Sequence, residues 1–247
     1  MSSKGNTRDV TTEEGEILTL PRVSYIKSQL KQDYLMQEWP AKCASDYIKD
    51  KLTEHTDGGG MILVSDGMAN EITDNAKGAW VRKLKEATEI GTLTHKAISS
   101  FLKGESVYVP QEIEIPFKSF LLWHEEYNVV PIAVDYVVHS LDGGGYAGEV
   151  DAVVVMADKK GGKVSSKLKV VDFKAQPYIY HEHGLQLVAY VNAYKHTVGM
   201  EELGCGICRL DKKEIDYQWK QYRDATLESL LKEFLKLTEL AHIKGVK

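Results

Sequence analysis

The spacing of apolar and polar positions divides this chain into helical and strand-forming stretches. From Ala79 to Leu102 the apolar positions step by three and four residues, which predicts one long amphipathic helix ending near Gly104. The middle of the chain then consists of short β-rich runs separated by Gly, Asp or Pro, which predict strands of a mostly antiparallel sheet. These runs are Val107 to Ile115, Val129 to His139, Gly145 to Met156 and Leu168 to Lys174.

Helical spacing returns in the last third of the chain. It predicts a helix from about Gly184 to His196 and a final amphipathic helix from Leu227 to His242, with a strand from Gly204 to Leu210 between them. No internal repeat interrupts this order. The pattern predicts an α/β fold in which helices surround a mixed central β-sheet.

The N-terminal part has weaker signals. Residues 1–16 lack hydrophobic periodicity and predict a flexible tail, and Ile17 to Tyr25 resembles a strand or extended segment. Roughly helical spacing follows to about Thr56, with Pro40 placed in the first turn of a second helix, and the glycines of 57–60 indicate a loop. We therefore expect a tail at 1–16 and a single domain, with extra N-terminal helices, at 17–247.

Composition limits the classes of protein. No run of eighteen apolar residues occurs and the N-terminus is polar, so we expect a soluble, intracellular protein without a membrane span or signal peptide. Three scattered cysteines, Cys43, Cys205 and Cys208, predict free thiols. The formal net charge of −5 disfavours bulk electrostatic coating of nucleic acid.

A basic strip is the exception to this acidic balance. Its members are Lys77, Arg82, Lys83 and Lys85. They would either contact the phosphates of a nucleic acid or form an ordinary solvated helix face. The sequence leaves both interpretations open.

The strongest chemical signal lies on a predicted hairpin. Gly161-Gly162 predicts its two-residue turn, and a turn there sets Asp151 opposite Asp172 on one face. Lys174 projects to the same face, and Phe173 points to the other side. Two carboxylates about 4 Å apart repel by roughly 4 kcal/mol at an effective dielectric near 20, so the pair indicates a cation site suited to Mg²⁺ or Mn²⁺.

An Asp-x-Lys triplet alone is unspecific, because Asp158-Lys159-Lys160 and Asp211-Lys212-Lys213 also match. Only the triplet that begins at Asp172 ends an apolar strand, with Gly148-x-x-Asp151 before it and an amphipathic helix after it. This context favours metal-assisted phosphodiester hydrolysis, in which Lys174 orients or deprotonates the attacking water.

Four motifs in order resemble the RecB-like, phage-type exonuclease branch of the PD-(D/E)XK nuclease superfamily. They are Gly91-Thr-Leu-Thr-His95, Gly148-x-x-Asp151, Asp172-x-Lys174 and Gln186-x-x-x-Tyr190. The resemblance spans roughly residues 89–210 and implies a restriction-endonuclease-like core. It also implies that DNA is the substrate and that recombination or replication proteins are partners.

The resemblance further implies roles for single residues. His95, Asp151, Asp172 and the backbone carbonyl of Phe173 would hold the metal, and Gln186 and Tyr190 would help to hold Lys174 and the DNA. Taken alone, His95 fits a buried helix histidine, and Gln186 and Tyr190, one turn apart, fit a plain amphipathic helix.

Other residues near these motifs have more than one interpretation. Cysteine is too scarce for the iron-sulfur cluster of some relatives, and we expect no cluster. Cys205-Gly-Ile-Cys208 fits core packing better than a zinc or redox half-site. His181 and His183 fit a solvent-facing loop pair, or contacts to phosphate or a second metal. Tyr178 and Tyr180 would either stack on a base or pack.

The sequence thus predicts a Mg²⁺- or Mn²⁺-dependent deoxyribonuclease, with an exonuclease favoured over an endonuclease because no separate recognition domain or strongly basic reading helix is visible. Two alternatives remain. One is a catalytically idle DNA-binding or assembly module of the same fold, and the other is a single-strand or flap endonuclease. Oligomeric state is not determined by the sequence.

Overall fold

The computed structural model describes residues 5–12, 15–30, 38–56, 64–200 and 202–245. The strands are β1 (Thr7–Thr11), β2 (Ile17–Pro21), β3 (Val130–Ser140), β4 (Tyr146–Val155), β5 (Lys169–Lys174), β6 (Gly204–Leu210) and β7 (Tyr217–Gln221). The helices are α1 (Val23–Lys27), α2 (Trp39–Glu54), α3 (Asp66–Lys77), α4 (Ala79–Leu102), α5 (Glu114–Glu126), α6 (His181–Val198) and α7 (Asp224–Ile243). Short 3-10 helices lie at Gln111–Ile113 and Asp142–Gly144.

A five-stranded sheet in the order β3-β4-β5-β6-β7 forms the centre of the fold. Neighbouring strands are antiparallel except for β5 and β6, which are parallel. Helix α5 packs against β6 and β7, and α6 packs against β3, β4, β5 and β6. The predicted α/β fold, with helices flanking a mixed central sheet, is confirmed.

The chain divides into two compact units, where the sequence predicted one domain. The first comprises Met1–Gln29 with Gly91–Lys247, and the second comprises Leu30–Ile90. Within the second unit the rings of Trp39 and Trp80 meet edge to face at 6.5 Å. The expected loop at 57–60 and the first part of the helical region, 31–37, lie outside the described residues.

The stretch predicted as a tail contains β1, which pairs with β2 in a two-stranded antiparallel sheet. Val10 is buried against Leu20 and Ala147 of β4, so one apolar side chain anchors an otherwise polar strand. Arg8 forms an ion pair with Glu149 of the same strand β4. The hairpin is therefore attached to the strand that carries Asp151.

Several predicted elements are confirmed closely. Helix α4 and strand β6 have the predicted bounds, and α2 begins with Pro40 in its first turn. The predicted strand Val107 to Ile115 is wrong, because Pro110 leads into the 3-10 helix and α5 begins at Glu114. No helix among the described residues is long and apolar enough to cross a membrane.

Candidate active site

Strands β4 and β5 bring two carboxylates together. Ala152 pairs with Val171, and continuing this register by one residue places Asp151 opposite Asp172, as predicted. The turn differs, because Gly162 N donates to Lys159 O and centres the turn on Lys160-Gly161. Between the bridge of Ala157 with Val164 and the pair of Val154 with Lys169, the side of β5 has four residues and the side of β4 has two. This difference shifts the pairing back to the predicted register.

Asp172 is fully buried, and Lys174 beside it is 8% exposed. Lys174 Nζ donates to Asp172 Oδ1 at 2.8 Å and lies 2.7 Å from Oδ2. Oδ2 has this ionic contact but no aligned hydrogen-bond donor among the described residues. Burial raises the pKa of Asp172, although the charge of Lys174 opposes the shift.

Phe173, between them, points to the opposite face of the sheet. Its ring meets Phe120 and Trp123 of α5 edge to face, each at 5.5 Å. This apolar anchor fixes the strand, so that alternation sets Asp172 and Lys174 on the other face.

Asp151 is held from two sides. Its Oδ2 accepts a hydrogen bond from the backbone N–H of Phe173 at 2.9 Å, and its Oδ1 lies 3.4 Å from His95 Nδ1. Burial favours the neutral acid, but His95, Lys174 and the Phe173 amide outweigh it and lower the pKa of Asp151. Burial likewise opposes the charged form of His95, yet the Asp151 carboxylate raises its pKa.

The residues present fit a divalent metal by chemistry. Carboxylate oxygens suit Mg²⁺ or Mn²⁺, and the buried Oδ2 of Asp172 is an acceptor without a hydrogen bond. Among the described residues, no three His, Cys, Asp or Glu side chains lie in an arrangement that could hold a metal ion. The contacts on this face join His95 to Asp151 and Lys174 to Asp172. Ligation of a metal ion by His95, Asp151 and Asp172 stays a prediction.

Helix α6 presents Gln186 and Tyr190 on one face. Gln186 Nε2 donates to the Tyr190 hydroxyl at 2.9 Å. Gln186 Oε1 accepts from Lys27 Nζ at 2.8 Å, so its described hydrogen bonds run to Tyr190 and Lys27 rather than to Lys174. Burial raises the pKa of Tyr190, with the charges of Asp172 and Asp151 adding to the shift, so its hydroxyl stays protonated.

Sequence reasoning missed Lys27. Burial lowers its pKa, and the positive charge of Lys174 lowers it further, while Asp172, Glu182 and Asp151 act in the opposite direction. No spacing rule connects a lysine in the five-residue helix α1 with a site formed mainly more than one hundred residues later. Only the packing of α1 on α6 reveals the connection.

The glycine of the Gly-x-x-Asp motif has a steric reason. A Cβ on Gly148 would lie 2.5 Å from Tyr190 Cε1 and 3.2 Å from Val23 Cγ2. Real side chains do not approach so closely, so glycine is required for Tyr190 to pack against β4.

The two histidines in the first turn of α6 have different surroundings. His181 is exposed and pairs with Glu233 at 2.8 Å. His183 is buried, and its Nδ1 accepts from the backbone N–H of Tyr180 at 3.2 Å, so the solvent-facing interpretation is wrong for this residue. Tyr178 is 68% exposed, and its ring meets that of Tyr180 edge to face at 6.2 Å.

Two other sequence features have structural explanations. All three cysteines are free and buried, and burial raises the pKa of Cys205 to about 12. The basic strip is partnered within the second unit, mainly by acidic side chains. Lys77 meets Asp74, Lys83 meets Asp46, Lys85 meets Glu89, and Arg82 lies over the ring of Tyr47.

Two solved structures show distant similarity to this chain. A protein called SSO0001 is 14% identical, with 78% of this chain and 85% of that protein covered and a TM-score of 0.34. A candidate exonuclease from Eubacterium rectale is 12% identical, with 87% and 85% covered and a TM-score of 0.40. No protein-family model and no curated protein matches this chain. Similarities of this size carry no functional argument, so any function must be argued from the chain's own residues.

Proposed function

We propose that this chain is a Mg²⁺- or Mn²⁺-dependent deoxyribonuclease of the PD-(D/E)XK type with a restriction-endonuclease-like core. One observation carries the proposal: Asp151 and Asp172 lie side by side on adjacent buried strands, with Lys174 directly on the second carboxylate. Burying two acids and an amine is costly for stability and is typical of sites that perform chemistry.

Asp151, Asp172 and His95 would hold the ion, together with the Phe173 carbonyl. When bound, the ion polarises the phosphodiester and favours ionisation of a water molecule. The Phe173 amide fixes one oxygen of Asp151, so the other oxygen of Asp151 would be the one that takes the ion. Lys174 would orient the attacking water and stabilise charge on the phosphate oxygens.

We further propose exonuclease rather than endonuclease action. Three of the four residues of the basic strip, Lys77, Lys83 and Lys85, lie beside acidic neighbours, which leaves little surplus charge for a helix that would read base sequence in a duplex. End-directed cleavage needs no such reading helix.

Cleavage of end-labelled linear DNA and closed circular DNA, each single- and double-stranded, tests this proposal in Mg²⁺, Mn²⁺ or EDTA. We expect metal-dependent loss of linear substrate alone. Cutting of circles would overturn the exonuclease assignment, and absence of cleavage in every condition would overturn the nuclease.

The variant Lys174→Ala tests the assignment of the amine. We expect cleavage to fall by on the order of 10²-fold or more, because an oriented donor is removed at the reacting phosphate. Lys118→Ala is the control, since Lys118 is an exposed lysine paired with Glu114 on α5. Full activity of Lys174→Ala would contradict the mechanism.

A further inference from the structure

Lys27 is a second ammonium group at the candidate active site, and the mechanism above gives it no role. It is partly buried on α1, and its Nζ donates to the neutral amide oxygen of Gln186 at 2.8 Å. Within the described residues no carboxylate lies within ion-pair distance of it. An ammonium carries three N–H donors, so one neutral acceptor leaves Lys27 with donors to offer.

Gln186 fixes the direction of this ammonium. The amide nitrogen of Gln186 donates a hydrogen bond to the Tyr190 hydroxyl at 2.9 Å, and the amide oxygen of Gln186 therefore faces Lys27. Tyr190 is in turn held against Gly148 of β4. The Lys27 head group is thus supported by α6, which follows the strand of Asp172 and Lys174.

The charges near Lys27 indicate an anionic ligand. Lys27 and Lys174 repel each other, while three carboxylates, those of Asp172, Glu182 and Asp151, attract Lys27 from beyond ion-pair distance. Keeping Lys27 charged next to the repelling charge of Lys174, without an ion-paired acid among the described residues, costs free energy. An anion placed between the lysines would offset that cost, and a phosphodiester offers one negative charge and two non-bridging oxygens.

We propose that Lys27 binds a non-bridging oxygen of the DNA phosphate at the Asp172–Lys174 centre, with Gln186 holding it in position. This inference rests on the proposed function and adds a substrate-binding residue to it. Lys27 contacts the phosphate and not the base, so it contributes affinity without sequence preference.

The salt dependence of DNA binding tests this role, because each phosphate contact adds about 0.9 to the slope of log K against log salt. Binding of a short duplex is measured in EDTA between about 50 and 200 mM salt. We expect Lys27→Met to reduce the slope by about one contact and to lower kcat/KM roughly 10- to 100-fold. Lys27→Arg, which keeps the charge, should restore both in large part.

Lys244→Met is the matched control. Lys244 Nζ also donates to a glutamine, Gln29 Oε1, at 3.2 Å, but it is exposed at the end of α7. The control removes the same charge and the same type of hydrogen bond, and we expect wild-type slope and kcat/KM. If Lys27→Met does not fold by circular dichroism, Lys27→Gln replaces it in the same comparison.

The outcomes separate this inference from the proposed function. Inactive wild-type protein would overturn the nuclease and this inference together. An active wild type with an unchanged slope in Lys27→Met would overturn the inference alone, even if kcat/KM fell, because a lysine that only positions Gln186 leaves the number of phosphate contacts unaltered.

Discussion

At the scale of single residues, the site is defined by which charges are buried together. Alternation along β5 was enough to place Asp172 and Lys174 on one face and Phe173 on the other. The direct contact of Lys174 with Asp172 was not predicted, because the sequence does not show how deeply the acid is buried. A fully buried carboxylate needs a nearby positive charge, and Lys174 supplies it.

His183 leads to a prediction about pH. Burial lowers its pKa from 6.5 to about 3, with Lys174 and Lys27 adding to the shift. Between these two values the unfolded chain binds the proton and the folded chain does not, so the free energy of unfolding decreases as pH falls through this window. We expect His183→Asn, which retains an acceptor for the Tyr180 amide, to show a smaller decrease in melting temperature between pH 7 and pH 4 than wild type.

The control for this experiment is His55→Asn at an exposed position. It should show the same dependence of melting temperature on pH as wild type. An equally steep dependence in His183→Asn would show that His183 does not contribute to acid sensitivity.

At the scale of elements, the packing of helix α6 on strand β4 requires that position 148 has no side chain. Gly148→Ala would place a Cβ 2.5 Å from Tyr190 Cε1, and we expect it to lower the free energy of unfolding by about 1 to 3 kcal/mol. Tyr190→Leu removes the obstructing ring, so the double variant should be destabilised by less than the sum of the single changes. Urea unfolding measures all three, and strict additivity would contradict the steric explanation.

Gly91→Ala is the matched control within α4. No atom outside its immediate surroundings lies within 4 Å of a Cβ at this position. Alanine in a helix interior is favoured over glycine by roughly 0.5 to 1 kcal/mol, so we expect this variant to be more stable than wild type.

Elements with strong local signals were predictable, and elements formed by tertiary contacts were not. Helix α4 has a long apolar stripe, and β6 is a buried run, so both were located correctly. Strand β1 is polar apart from Val10, so it has no apolar pattern, and β7 alternates aromatic and polar residues over only five positions, which is too short to indicate a strand by itself. The contact of Lys27 with Gln186 could not be predicted, because it depends on the packing of α1 against α6.

At the scale of the whole molecule, charge is distributed unevenly. The net charge is −5, and Lys77, Lys83 and Lys85 of the second unit pair with its own acids. DNA binding in this account therefore depends on a few lysines close to the carboxylate pair. We accordingly expect the slope of log K for DNA binding against log salt to correspond to a small number of phosphate contacts.

The central claim is that the carboxylate pair on β4 and β5 supports metal-dependent cleavage of DNA. Its most direct test compares wild type with Asp172→Asn, a change of similar shape that removes the charge, on linear DNA in Mg²⁺ and in EDTA. We predict cleavage by wild type in Mg²⁺ only, and a loss on the order of 10²-fold or more in Asp172→Asn with the fold retained by circular dichroism. Wild-type cleavage in EDTA, or undiminished cleavage by Asp172→Asn, would contradict the account.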